Sequence, residues 1–166
     1  KDGKLIELHE EQGSNEFSVG DIYLGKVRKV VPSLNASFVD VGYEKDAFLH
    51  YLDLGPQYSS LNKFSRDTLR GKQNVSDLQY FKMEQDIPKD GKITEIVSSS
   101  APILVQVAKE PISSKGPRLT AEITLAGRFL VLVPFSNKIS ISQKIKDQDE
   151  RNRLKDIMKA IKPKNF

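Results

Sequence analysis

Phe38, Phe48 and His50 stand on two short segments in which apolar and polar residues alternate. In residues 36–41, Ser37, Val39 and Val41 share one face of a strand, and Ala36, Phe38 and Asp40 share the other. In residues 46–50, Ala47 and Leu49 share one face, and Asp46, Phe48 and His50 share the other. The Val and Leu faces are the natural core. Phe38 and Phe48 are left pointing outward on neighbouring strands, beside Asp40 and His50, with Lys26 and Arg28 flanking them from the strand before. Nucleobases stack on such rings with roughly 1–3 kcal/mol per base, and cations beside them neutralise phosphates. The same residues become ordinary core if the polar stretch that follows folds over this face. The alternation leaves both readings open.

These side chains must be positioned by β structure. A long strand over 21–31 ends at Pro32-Ser33. Strands over 36–41 and 46–50 follow after short connections, which makes a meander. Between Gly55 and Gly91 the composition shifts to Ser, Asn, Gln, Lys and Asp, with scattered Tyr58, Phe64, Tyr80 and Phe81. This insertion has room for one or two short helices, and loops this long are usually functional or mobile. Strand character returns over 103–108. Residues 111–117 form a loop that carries Lys115-Gly116. Leu119, Ala121 and Ile123 alternate with Thr120, Glu122 and Thr124 as a half-buried strand. The run Phe129–Val133 reads as a strand buried on both faces. One helix is expected near the end, capped by Asp147 with Glu150 as its capping-box partner. Leu154, Ile157, Met158 and Ile161 form its apolar stripe, and Pro163 stops it. Near the start, Leu5–His9 is a short strand candidate, followed by a turn signal at Gly13-Ser14-Asn15.

Composition removes several chemistries. The 166 residues contain no cysteine, which excludes disulfides, thiolate zinc sites and a Cys nucleophile. With only His9 and His50, a histidine-rich metal site is excluded too. Asp40, Asp46 and Asp53 lie close in sequence, but Mg²⁺ needs convergent oxygen ligands, so they are read as turn and surface charge. No apolar run approaches the roughly 18 residues of a membrane helix. The net charge is +4 and is unevenly placed: residues 138–164 carry nine Lys or Arg against four Asp or Glu. That basic end suits either an anionic surface or a plain solvated helix face. The opening Lys1-Asp2-Gly3-Lys4 reads as the middle of a strand pair, so the chain is expected to be part of something larger.

The runs Gly25–Val30, Ala36–Gly42 and Asp46–His50 resemble the S1 RNA-binding domain, a five-stranded barrel of the OB type. Further on, Ile103–Glu110, Lys115–Thr120, Ile123–Gly127 and Phe129–Pro134 resemble the ribonuclease E/G family. The resemblance covers roughly residues 21–54 and 103–166. It implies a mainly β fold with α: an S1-like barrel over 21–118 with an insertion at 55–90. Around the barrel it implies a partial RNase H-like tail over 1–20 and a partial α+β 5′-sensor region over 119–166.

Members of that family are bacterial and plastid endoribonucleases that cut single-stranded, AU-rich RNA in rRNA processing and mRNA decay. The resemblance makes Phe38 and Phe48 RNA-stacking aromatics and Lys115 an RNA-contacting lysine at the barrel edge. It places Gly127 and Val131 near the 5′-phosphate pocket of the sensor. Val131 also fits a buried strand, and Gly127 fits the needs of a turn. The expected binding set is Phe38, Phe48, Lys115, Lys26, Arg28 and His50. The family's catalytic Mg²⁺-holding aspartates and its zinc-linking cysteines have no counterpart here. The chain is therefore expected to bind single-stranded RNA without cutting it, with no cofactor of its own, and Mg²⁺ belongs to the full-length enzyme. A cytoplasmic setting is expected, with a monomer for this chain and a homo-oligomer for the full-length protein. Two other readings stay open: a non-catalytic S1-type module of a translation or transcription factor, and a barrel whose outward Phe residues bind a peptide.

Overall fold

The computed structural model describes residues 17–72 and 78–166. The strand candidate at Leu5–His9 and the turn at Gly13-Ser14-Asn15 lie outside the described residues. Five strands close a barrel: β1 (Ile22–Val31), β2 (Ala36–Asp40), β3 (Ala47–His50), β4 (Pro102–Lys109) and β5 (Arg118–Thr120), in the order β1-β2-β3-β5-β4. All pairs are antiparallel except β3 with β5. With the helices described below, this is the mainly β, OB-type barrel that the resemblance implies. Its interior holds Val27, Val39, Leu49, Val105, Val107 and Leu119, all fully buried. The inward faces assigned from alternation in β2 and β3 hold. Ala36 is the exception: it was placed outward, yet it is fully buried. It lies at the end of β2 where the neighbouring Asn35 side chain ties down the segment at Gly91–Ile93.

β1 serves two neighbours. Ile22–Lys26 pair with β4, and Lys26–Val31 pair with β2. Lys26 is common to both pairings, and Gly25 comes just before it. A Cβ there would lie 2.7 Å from Val39 Cγ1 and 2.9 Å from the Asp40 carbonyl oxygen. Past Pro32–Leu34, Asn35 takes a left-handed conformation (φ 47°). Its amide donates to the Gly91 carbonyl at 3.0 Å and accepts from the Ile93 N–H at 2.6 Å.

The insertion folds as α1 (Tyr58–Leu69), a 3₁₀ turn (Leu78–Tyr80) and extended chain, leading to the single-turn α2 (Ile93–Ile96). In α1, Tyr58 and Leu61 are buried and Phe64 packs on the core, an i, i+3, i+6 stripe. Burial pushes the Tyr58 hydroxyl up to about 12. Phe64, Phe81 and Phe135 meet in one cluster with ring centroids 5.4–5.7 Å apart. The buried Asn165 amide donates to the carbonyls of Leu78 (2.7 Å) and Phe81 (3.1 Å). The insertion is thus held against the C-terminal segment.

Three expectations for that segment need correction. The strand foreseen over 119–125 keeps its alternation of burial, but the barrel strand stops at Thr120 and Leu125 belongs to a separate ribbon. The chain turns because the Asp53 carbonyl takes the Ala121 N–H (2.8 Å) and the Thr120 hydroxyl (2.8 Å), while Gln106 takes the Thr124 N–H (2.9 Å). The apolar run Phe129–Val133 is not buried. It forms one arm of a two-strand ribbon, β6 (Leu125–Ala126) with β7 (Val131–Leu132), and Phe129 is 85% exposed. Burial on both faces requires a layer on each side, and among the described residues β7 has only β6 beside it. The last helix, α3 (Gln148–Ile161), is capped by Asp147 as expected, through the Glu150 N–H at 2.7 Å. Glu150 does not complete a capping box, because its carboxylate binds Arg153 at 2.7 Å instead. No residue of α3 is buried, and its apolar stripe is part-exposed.

Gly25→Ala is expected to lower the stability of the folded chain by about 1–3 kcal/mol, because the added methyl meets backbone as well as a side chain. Urea unfolding followed by circular dichroism measures it; an unchanged midpoint would show that the neighbouring Val39 and Asp40 can yield to a Cβ.

Candidate nucleic-acid interface

β2 and β3 place Phe38 directly opposite Phe48. The two rings meet edge to face with centroids 5.8 Å apart, and both are half-buried. They floor an open groove of about 740 Å³ whose other walls are Lys45, Asp46, Ser114, Lys115, Gly116 and Arg118. No residue of the 55–90 insertion lines it. The described residues of the insertion therefore do not fold over the two rings.

Lys115 reaches this groove because its loop lies on the β2–β3 connection. The Phe48 N–H donates to the Pro117 carbonyl at 2.9 Å. At Gly116 there is no room for a side chain, since a Cβ would fall 2.4 Å from the Asp46 carbonyl oxygen. Glycine here permits the contact that seats Lys115 beside Phe48. His50 lies next in line, with its ring 6.5 Å from that of Phe48. Its Nδ1 accepts the Leu52 N–H at 3.1 Å and caps the turn at Tyr51–Asp53. One ring nitrogen is thus used structurally, and no hydrogen bond engages Nε2 among the described residues.

The two cations chosen from β1 are placed differently from the groove residues. Lys26 opposes Asp40 and lines a separate depression with Gly25, Gly42 and Pro102. Arg28 is bound to Asp40 at 2.6 Å. The Gly42 N–H (3.0 Å to Oδ1), and after it Arg28, hold the Asp40 carboxyl below the ordinary carboxylate range. Three cations were missed. Lys45 and Arg118 line the groove, and Lys29 is the β1 residue that opposes Phe38. A β-bulge between Val27 and Lys29 shifts the register, and strict alternation cannot see it. Arg118 is steadied by Asp53 (Nε–Oδ2 3.1 Å, Nη2–Oδ2 2.9 Å).

Gly127 and Val131 lie on the β6–β7 ribbon. The Gly127 N–H donates to the Leu130 carbonyl at 2.8 Å, and Val131 pairs with Ala126 and is 61% exposed. Among the described residues no three His, Asp or Glu side chains gather where a cation could be held. Asp40 and Asp53 are instead engaged by Arg28 and Arg118. In the basic end, Arg153 and Lys159 pair with acids of their own helix. Arg151 donates to the carbonyls of Ile141, Ser142 and Ile145.

The depression of the Asp40 carboxyl makes an electrostatic prediction. Its pKa is lowered in the fold, so its pairing stabilises the fold above the unfolded carboxylate range and is lost as pH falls through the lowered value. A carbon-13 NMR titration should find its midpoint below 3.8. Arg28→Gln should raise that midpoint only part of the way, because the Gly42 N–H remains. Full return to the ordinary value would mean that Arg28 alone holds it.

Similarity to known proteins agrees with the resemblance read from the motifs. Residues 124–166 match the model of the Ribonuclease E/G family. Over 151 residues the chain is 40% identical to Ribonuclease E of Nostoc sp. (strain PCC 7120), covering 90% of this chain and 18% of that protein. It is 43% identical over 148 residues to a Ribonuclease E/G-like protein of Porphyra purpurea, covering 89% of this chain and 24% of that protein. It is 36% identical over 159 residues to Ribonuclease G of Haemophilus influenzae, covering 96% of this chain and 28% of that protein. The chain spans 18% to 28% of the length of these curated relatives.

Proposed function

We propose that this chain, which belongs to the ribonuclease E/G family, is the RNA-binding portion of a single-strand-specific endoribonuclease. The observation that carries the reading is the Phe38–Phe48 pair, adjacent and half-exposed on the floor of a groove walled by Lys45, Lys115 and Arg118. Bases stack on the two rings, and unpaired strands expose the π-faces that stacking needs. Lysine and arginine along the walls take the phosphates, and His50 Nε2 is left to donate to a base or sugar oxygen. A duplex keeps its bases in the stack, so this floor selects single strands. The relatives are named as ribonucleases, which supports RNA as the partner.

The chain is proposed to bind without cutting. Hydrolysis by an Mg²⁺-activated water needs carboxylates gathered around the ion. The residues described here do not fit that ion, and the cutting step is assigned to the Mg²⁺-holding part of the full-length enzyme. Gly127 and Val131 on the ribbon are proposed as part of the 5′-phosphate sensor, which leaves the barrel, over 21–118, to hold the strand downstream. The proposed setting is rRNA processing and mRNA decay in the cytoplasm or its plastid equivalent. None of the described helices is long and apolar enough to cross a membrane.

Fluorescence anisotropy with a short labelled single-stranded RNA tests the reading. Each of Phe38→Ala and Phe48→Ala should cost about 1–3 kcal/mol of binding in a protein that still folds, and the RNA should stay intact when Mg²⁺ is added. Equal affinity in the double variant would reject the aromatic floor, and cleavage would place an active site within this chain.

A further inference from the structure

Resting on that reading of the groove, we propose that RNA follows a single rung of the barrel, with Lys29 and Arg118 binding phosphates on either side of the Phe38–Phe48 pair. The rung is continuous in register. Lys29 on β1 opposes Phe38 on β2, Phe38 opposes Phe48 on β3, Phe48 opposes Arg118 on β5, and Arg118 opposes Lys109 on β4. Residues opposed in this way project from the same face of the sheet. At about 4.8 Å per strand, two aromatic positions occupy the middle of the row and a cation stands on the next strand to each side.

The two outer strands of this row each carry a β-bulge, and both bulges fall on this rung: between Val27 and Lys29 on β1, and between Val107 and Lys109 on β4. A bulge sets two residues against one and re-aims the side chains that follow. On β1, Val27 is buried, Arg28 and Lys29 are both exposed, and Val30 again packs on the core. Unbroken alternation from Val27 would have turned Lys29 inward and Val30 outward. On β4, Val107 is buried and Ala108 and Lys109 are both exposed. The bulges therefore turn a lysine outward at each end of a row that already holds both rings and Arg118.

Of the two cations exposed by the β1 bulge, only one is free to act. Arg28 is committed to Asp40, whereas Lys29 has no ion-pair partner among the described residues. Arg118 is anchored through Nε and Nη2 to Asp53 yet remains 46% exposed, which leaves Nη1 for a ligand. A guanidinium fixed from behind loses little freedom when it binds a phosphate.

The test is anisotropy with labelled oligouridylate over a range of salt concentrations, with thermal melts to confirm folding. Each phosphate contact on a single strand contributes about 0.7 to the slope of log K against log salt. Lys29→Ala should lower the slope by about that amount and should lower it more than Lys26→Ala. Lys89→Ala, on the insertion, should leave it unchanged. Arg118→Gln should match Lys29→Ala, and Arg118→Lys should restore most of the slope. If Arg118→Gln fails to fold, Lys29→Ala decides alone. A wild-type slope in Lys29→Ala, with binding still lost in Phe38→Ala, would overturn the rung while leaving the RNA-binding groove in place. No binding by folded wild type would overturn both.

Discussion

The barrel depends on one strand pairing with two partners at once. β1 holds β4 with its first half, Ile22–Lys26, and β2 with its second, Lys26–Val31, so the two sides of the barrel meet on this one strand. Gly25 and the bulge after Val27 both fall where one pairing gives way to the other. Gly25 lets the backbone close onto Val39 and Asp40, and the bulge adds local twist. Closure gives each of the five barrel strands a neighbour on both sides, so the barrel presents mainly side chains. The same bulge that lets the strand turn also resets which side chains face out, so closing the barrel and shaping its binding face are one event in the backbone.

What lies around the barrel is fastened by amides. Asn35 holds Gly91 and Ile93, Gln106 holds Gly20 and Thr124, and Asn165 holds Leu78 and Phe81. A side-chain amide carries both donors and an acceptor, so one residue can satisfy two segments of backbone. Gln106 and Asn165 are buried, and each would leave orphan backbone groups if truncated. These fastenings, with the Phe64–Phe81–Phe135 cluster, draw the insertion toward the C-terminal segment and to the Asn35 end of β2. That is why a long polar insertion leaves the Phe38–Phe48 floor open.

Much of this was legible in the residues. Alternation placed β1, β2, β3 and β4 to within a residue or two and assigned the inward faces of β2 and β3, because half-buried strands carry their geometry in a period of two. It failed where a long-range partner decided the outcome. The apolar run Phe129–Val133 looked like core, but hydrophobicity reports a need for cover and not its presence. Residues 119–125 kept the predicted burial while losing strand geometry, because Asp53 and Gln106, distant in sequence, compete for their backbone. Lys29 was passed over for Lys26 and Arg28 because a bulge leaves no compositional mark. It is visible only as register.

Charge shows the same limit. The nine cations of residues 138–164 dominate the sequence, yet several are spent inside the segment: Arg153 on Glu150, Lys159 on Asp156, and Arg151 on three carbonyls. An exposed ion pair adds little stability, but the opposite charge of each partner weakens the field that the other offers a third charge. Arg28 is muted by Asp40 in this way, and Lys29 beside it is not. The capacity of a surface to hold a phosphate chain therefore depends on which cations the fold leaves uncommitted, and among the described residues three without an ion pair stand around the two rings: Lys29 on β1, and Lys45 and Lys115 on the connections beside Phe48.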